Sequence, residues 1–164
     1  MMITSAILTI SDLGSQGKRE DTSGKRIAEI LLDNSIKILY KEIVPDEIAV
    51  IQQQLIHWTE SDKIDLIVTT GGTGLSPRDV TPEATYPILE RHVPGISEII
   101  RLKTHSINPM SIISRGVSGI RNNCLIINLP GSTQAVKECM EVIIPIIPHA
   151  IDLMQGNTSN HPKN

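Results

Sequence analysis

Residues 69–83 read TTGGTGLSPRDVTPE, a run that sets Gly71, Gly72, Thr73 and Gly74 a few positions before Asp79. Glycine lets the backbone come close to a ligand and turn its N–H groups toward an anion, so TGGTG has the composition of a phosphate nest. No G-x-x-x-x-G-K-[ST] or G-x-G-x-x-G run occurs, which excludes a Walker loop and the dinucleotide fingerprint. Three further polar segments follow apolar runs: Ser11-Asp12 after SAILTI, Pro45-Asp46 after IKILYKEIV, and Asn128 to Ser132 (NLPGS) within and after CLIINL. Carboxylates beside a phosphate nest are hard oxygen ligands of the kind that hold Mg²⁺ between protein and substrate phosphates. Each of these acids also has a plain structural use. Asp46 can cap the helix that starts near Ile48, Arg78 can be a solvated partner of Asp79, and Thr81-Pro82-Glu83 reads as N-cap, first helical residue and first-turn acid.

The elements that must position these groups alternate. SAILTI, IKILYKEIV, IDLIVTT and CLIINL read as strands, and the last two are apolar on both faces, as expected of parallel strands covered on both sides. Between them, Ile27, Ile30 and Leu31, then Ile48, Ile51, Leu55 and Ile56, recur at helical spacing. VPGISEIIRLKTH is helical around Ile96, Ile99 and Ile100 and is broken at Asn108-Pro109, while TQAVKECMEVII is helical until Pro145 and Pro148. The order of the short pieces between Val93 and Gly116 stays open. The alternation predicts a single doubly wound α/β domain over residues 1–154, with a mostly parallel sheet, helices on both faces and a polar tail at 155–164. In such sheets ligands sit beyond the carboxyl ends of the strands, so the four polar loops are expected on one rim. Pro87 inside TPEATYPILERH predicts a kinked helix after the glycine loop.

Composition narrows the partners. The 164 residues carry 15 Lys+Arg against 18 Asp+Glu, 2% aromatics and no Phe, which argues against a nucleic-acid surface by charge and by stacking. The N-terminus lacks a basic region and a long apolar run, so no signal peptide or membrane span is expected. Two cysteines, Cys124 and Cys139, have no metal-ligand neighbours and the five histidines are scattered, which fits a reducing, cytoplasmic setting. Cys124 reads as core, and His57, Trp58 and His92 as helix-surface or packing residues.

TGGTGLSPRDVTPEAT, with ISD before it, DTSG at 21–24, VPDE at 44–47, VPG at 93–95, SRG at 114–116 and NLPGS at 128–132, resembles the MogA/MoaB family, including the gephyrin G domain. The likeness runs from about Ile7 to about Leu153. It implies a molybdopterin adenylyltransferase of molybdenum cofactor synthesis: AMP passes from MgATP to the molybdopterin phosphate, pyrophosphate leaves, and a MoeA-type protein receives the product. It also implies a homotrimer. By matching motifs, the resemblance implies that Asp46 and Asp79 correspond to the family's essential acidic pair and would place Mg²⁺. Gly71, Gly72, Thr73, Gly74, Ser114, Asn128, Pro130, Gly131 and Ser132 would bind molybdopterin, and Ser11, Asp12 and Asp21 the nucleotide. The alternative within the resemblance is a MoaB-branch molybdopterin-binding or carrier protein without catalysis. The resemblance implies that the choice between molybdenum and tungsten falls at a later step.

Overall fold

A computed structural model describes residues 2–61 and 63–156, so most of the expected polar tail lies outside the described residues. The strands are β1 (Thr4–Ile10), β2 (Lys37–Val44), β3 (Leu66–Thr70), β4 (Arg91–His92), β5 (Ser118–Arg121) and β6 (Cys124–Leu129). The helices are α1 (Asp12–Ser15), α2 (Thr22–Asp33), α3 (Ile48–Ser61), α4 (Thr81–Thr85), α5 (Pro94–His105), α6 (Thr133–Ile143) and α7 (Ile147–Met154), with 3-10 turns at Tyr86–Ile88, Pro109–Ile113 and Ile144–Ile146. One mixed six-stranded sheet runs in the order β2-β1-β3-β6-β5-β4. The four strands read from the sequence are mutually parallel.

Alternation along the strands explains why they are apolar on both sides. Ile7, Val68 and Ile127 point into a core with Ile27 and Leu31 of α2, Ile100 of α5 and Val136 and Met140 of α6. Ala6, Leu8, Ile67 and Ile126 point into the opposite core with Ile51, Leu55 and Trp58 of α3 and Ala84 of α4. Each large side chain fully buried in either core contributes about 1.5–3 kcal/mol, so two cores clamp the sheet and hold its register. Trp58 is a core residue, 1% exposed and stacked on Tyr40, while Ile48, expected on the apolar face of α3, is 41% exposed. His57 and His92 are exposed.

The structure adds two strands. β5 and β6 form an antiparallel hairpin through Asn122 and Asn123, both in the left-handed region at φ 46 and 60, and β4 pairs with β5. Asparagine tolerates that region better than most residues, and two such positions in succession make the turn that antiparallel strands need. The segment after the glycine loop is also different from the expected kinked helix. α4 ends at Thr85, and Pro87 sits in the 3-10 turn that follows, so the proline stops the helix.

Candidate functional site

The parallel strands end together: Ile10 pairs with Val44, Thr9 with Thr70, and Thr70 with Leu129. Their loops therefore share one rim, and short bonds lock them to one another. The Gly71 amide donates to the Leu129 carbonyl at 3.1 Å, and the Thr70 hydroxyl to the Pro130 carbonyl at 2.7 Å. Gly71 has φ 99, and a Cβ there would lie 2.3 Å from the Ile10 carbonyl oxygen; Gly72 has φ 64, and its Cβ would lie 2.4 Å from Thr81 Oγ1. Only glycine fits both positions, because each combines a left-handed backbone with a neighbour in the side-chain space.

Thr81, expected as an N-cap, does other work. Val80 occupies the cap of α4, while the Thr81 hydroxyl donates to the Gly71 carbonyl at 2.8 Å and its amide to the Gly72 carbonyl at 3.0 Å. These bonds take the loop's carbonyls. Among the described residues the amides of Gly72, Thr73 and Gly74 donate to no protein group, which leaves them free for an anion.

Asp46 does not cap α3. Its Oδ2 accepts the Asp12 amide at 2.8 Å, and Asp12 Oδ1 accepts the Asp46 amide at 3.0 Å. Arg78 reaches back from the glycine-loop segment and donates to both Asp12 oxygens at 2.9–3.1 Å and to Glu47 at 3.1 Å. It is a strut between loops and not a partner of Asp79. Asp79 Oδ2 accepts the Ser76 amide at 3.0 Å, giving that acid a local turn to hold. A Cβ at Gly72 would lie 3.2 Å from Asp46 Oδ1, and one at Gly74 2.8 Å from Asp79 Oδ2, so both carboxylates face the glycine loop. Burial raises the Asp46 carboxyl above the ordinary aspartate value, and the negative charges of Asp12 and Asp79 add to the rise, while the Asp12 amide and Arg78 oppose it. Asp12 itself is held low by the Asp46 amide and by Arg78. Among the described residues no group of three or more His, Cys, Asp or Glu forms a complete metal cage. Two carboxylates that repel one another across an anion nest fit a magnesium ion completed by substrate phosphates and water.

Two cavities meet at this loop. The first, of about 370 Å³, is lined by Gly72, Thr73, Gly74, Asp79, Ser114, Pro130, Gly131 and Ser132, and by apolar Ile100, Met110, Ile113, Ala135 and Cys139. The second, of about 300 Å³, is polar, with Ser11, Arg19, Asp21, Ser23, Asp46 and Gly71 among its walls. Gly72, Asp79 and Gly131 belong to both. Ser11, Asp21 and Ser132 also cap helices, accepting the amides of Gly14, Gly24 and Ala135. Asn128 lines neither cavity. It is 4% exposed, and its side chain donates to Thr69 and Thr85 and accepts the Val117 amide, so it joins β6 to its neighbours. Asp12 lines neither cavity, being spent on Asp46 and Arg78.

Arg115 was not legible as a site residue. Its guanidinium donates to the Gly74 carbonyl at 2.8 Å and the Asp79 carbonyl at 2.6 Å and pairs with Glu83, while its amide donates to the Thr73 carbonyl. It splints the glycine loop from a segment far along the chain. The only sequence signal was a lone cation within SRG. Both cysteines are free and buried, and burial pushes the Cys139 thiol up to about 12 and the Cys124 thiol higher still.

Comparison with known proteins bears on the family and the fold. Residues 6–149 match a family described as "Probable molybdopterin binding domain". A molybdopterin adenylyltransferase of Helicobacter pylori is 44% identical over 153 residues, covering 92% of this chain and 87% of that protein. The solved MoaB of Thermus thermophilus is 45% identical with a TM-score of 0.90, covering 94% of this chain and 98% of that one. MoaB of Pyrococcus furiosus, described as a tungsten cofactor synthesizing protein, is 31% identical with a TM-score of 0.86, covering 94% and 98%. A family model that spans residues 6–149, and a solved MoaB that superposes over 94% of the chain, place the chain in the MogA/MoaB family of molybdopterin-binding domains.

Proposed function

We propose that the protein is a molybdopterin adenylyltransferase. The observation that carries this is the shared wall: Gly72, Asp79 and Gly131 face a part-apolar cavity on one side and a polar one on the other. A reaction between two phosphates needs two binding sites separated by little more than the reacting atoms. The first cavity suits a pterin with its terminal phosphate on the free amides of the glycine loop. The second suits the ATP phosphates, with Ser11 and Asp21 on the nucleotide side. A phosphate oxygen of molybdopterin attacks the α-phosphorus of ATP, the bond from that phosphorus to the bridging oxygen breaks, and pyrophosphate leaves. Phosphoryl and nucleotidyl transfer ask the protein for alignment and charge compensation more than for covalent help. Asp46 and Asp79 would hold Mg²⁺, which supplies positive charge where two anions meet. Asp12, Arg78 and Arg115 keep those acids and the loop in place.

The name and 44% identity of the Helicobacter relative support transfer over simple binding. The product passes to a MoeA-type insertion protein, and the choice of molybdate or tungstate falls there. A homotrimer in the cytoplasm follows from the same resemblance. Leu102, Ile107, Met110 and Ile112, each more than half exposed around the end of α5, offer apolar surface for it. No helix among the described residues is long and apolar enough to cross a membrane.

The test is to incubate the purified protein with molybdopterin and MgATP and follow pyrophosphate. Release that depends on molybdopterin is expected. Tight molybdopterin binding with no pyrophosphate would make the protein a carrier instead.

A further inference from the structure

The first cavity contains a charged group that adenylyl transfer leaves unused. Glu138 of α6 is 8% exposed and lines that cavity beside Ile100, Thr104, Ala135 and Cys139. A buried carboxylate is costly unless its oxygens are satisfied. Here one oxygen, Oε1, accepts from the Gln134 side chain at 2.7 Å, a neutral amide one turn earlier on the same helix. An ionised carboxylate has about four acceptor sites, so one such bond leaves most of its capacity unused. Of the residues lining this cavity, Glu138 and Asp79 are the ones that carry acids, and Asp79 belongs to the glycine loop. The cavity thus offers free amides and Asp79 from one wall and, from the α5–α6 wall, a carboxylate with unused acceptor capacity beside Thr104 and apolar groups.

We propose that Glu138 is a specificity-determining residue that reads the pyrimidine edge of the pterin, which rests on the reading of this cavity as the molybdopterin site. A pterin presents two adjacent donors on that edge, the ring N3–H and the 2-amino group, at the spacing of the two oxygens of one carboxylate. Paired, charge-assisted bonds of this kind give orientation as well as energy. Gln134 holds one oxygen of the carboxylate, and the small side chains of Ala135 and Cys139 line the cavity beside it. With the ring so fixed, the phosphate at the other end of the molecule falls on the glycine loop.

The test uses neopterin monophosphate and the matching lumazine phosphate, in which an oxygen acceptor replaces the 2-amino donor, titrated by fluorescence. Wild type is expected to prefer the pterin by roughly 10- to 100-fold, the scale of one or two unpaired buried groups. Glu138→Gln should bind the pterin weaker by a similar factor and lose the preference, since its amide can donate to the lumazine oxygen. Gln134→Met should keep the preference, because the carboxylate remains. Equal loss of both ligands in Glu138→Gln, or an unchanged preference, would overturn the assignment and leave Glu138 a structural residue. The molybdopterin and MgATP assay on wild type separates the two readings. Pyrophosphate release without any pterin preference would overturn the role of Glu138 alone. A preference that Glu138→Gln abolishes, with no pyrophosphate release, would uphold it and overturn the transferase.

Discussion

The two cavities are built from the same loop but by different means. The polar one lies directly over the strand ends, with Thr9, Ile10 and Thr70 at the ends of β1 and β3 fixed by the sheet and Ser11 and Asp21 fixed as helix caps. The part-apolar one is closed by α5, the 3-10 turn at Pro109–Ile113 and α6, segments brought in from later in the chain. A phosphate site needs rigid amides at fixed positions, which a sheet rim supplies. A site for a flat heterocycle needs a slot of adjustable width, which two packed helices supply. Their common wall is where rigidity matters most, and there Arg115, Arg78 and Thr81 each tie the glycine loop to something else.

The largest expected effect separates binding from turnover at that wall. Asp46→Asn and Asp79→Asn keep shape but remove charge, so pyrophosphate release should fall by ~10²-fold or more while molybdopterin binding persists. Comparable turnover from wild type and both variants at equal molybdopterin occupancy would move the catalytic work elsewhere. Next, Gly72→Val places a branched side chain at φ 64 and against Thr81 Oγ1 and Asp46 Oδ1. Both cavities should then lose affinity, by roughly 5- to 150-fold for the phosphate ligands, as expected from about 1–3 kcal/mol of backbone strain. Isothermal titration with molybdopterin and with ATP would read this, and loss on one side only would show that the wall is not shared.

The smallest effect concerns the splint. The Arg115 ion pair holds the Glu83 carboxyl below the ordinary glutamate value of 4.5. A group whose folded value is lowered contributes stability above its unfolded value and loses it as pH falls through the folded one. Wild type should therefore melt above Glu83→Gln at pH 7 by about 1–2 °C, the scale of one exposed pair, and the gap should close in acid. A constant gap from pH 7 to pH 3 would show that packing, not charge, accounts for it.

How much of this was legible depended on range. The four parallel strands, α2, α3 and α6 announce themselves because burial on one or two faces imposes a local period. The two added strands left no such period, because β5 spans four residues and its edge partner β4 two. Pro87 ended α4 instead of kinking it because a five-residue helix has no far side to continue into.

TGGTG, Asp46 and Asp79 stand out in the chain because three glycines crowd into four positions after an apolar run, with acids in that loop and after Pro45, and the resemblance covers them in order. The rim itself also follows from the sequence, since parallel strands joined by helices must end on one side. The partners of those residues had to wait for the fold. Asp12 bonds to Asp46 across 34 positions, Arg115 to Asp79 across 36, and Asn128 to Thr69 across 59. Whether a polar side chain faces a cavity or a neighbouring strand depends on which segments pack against it, and no local pattern records that. Residue type and period determined the strands, the loop and its acids, whereas tertiary contact alone decided that Asn128 is buried between strands, that Arg115 is a splint, and that Glu138 lines a cavity.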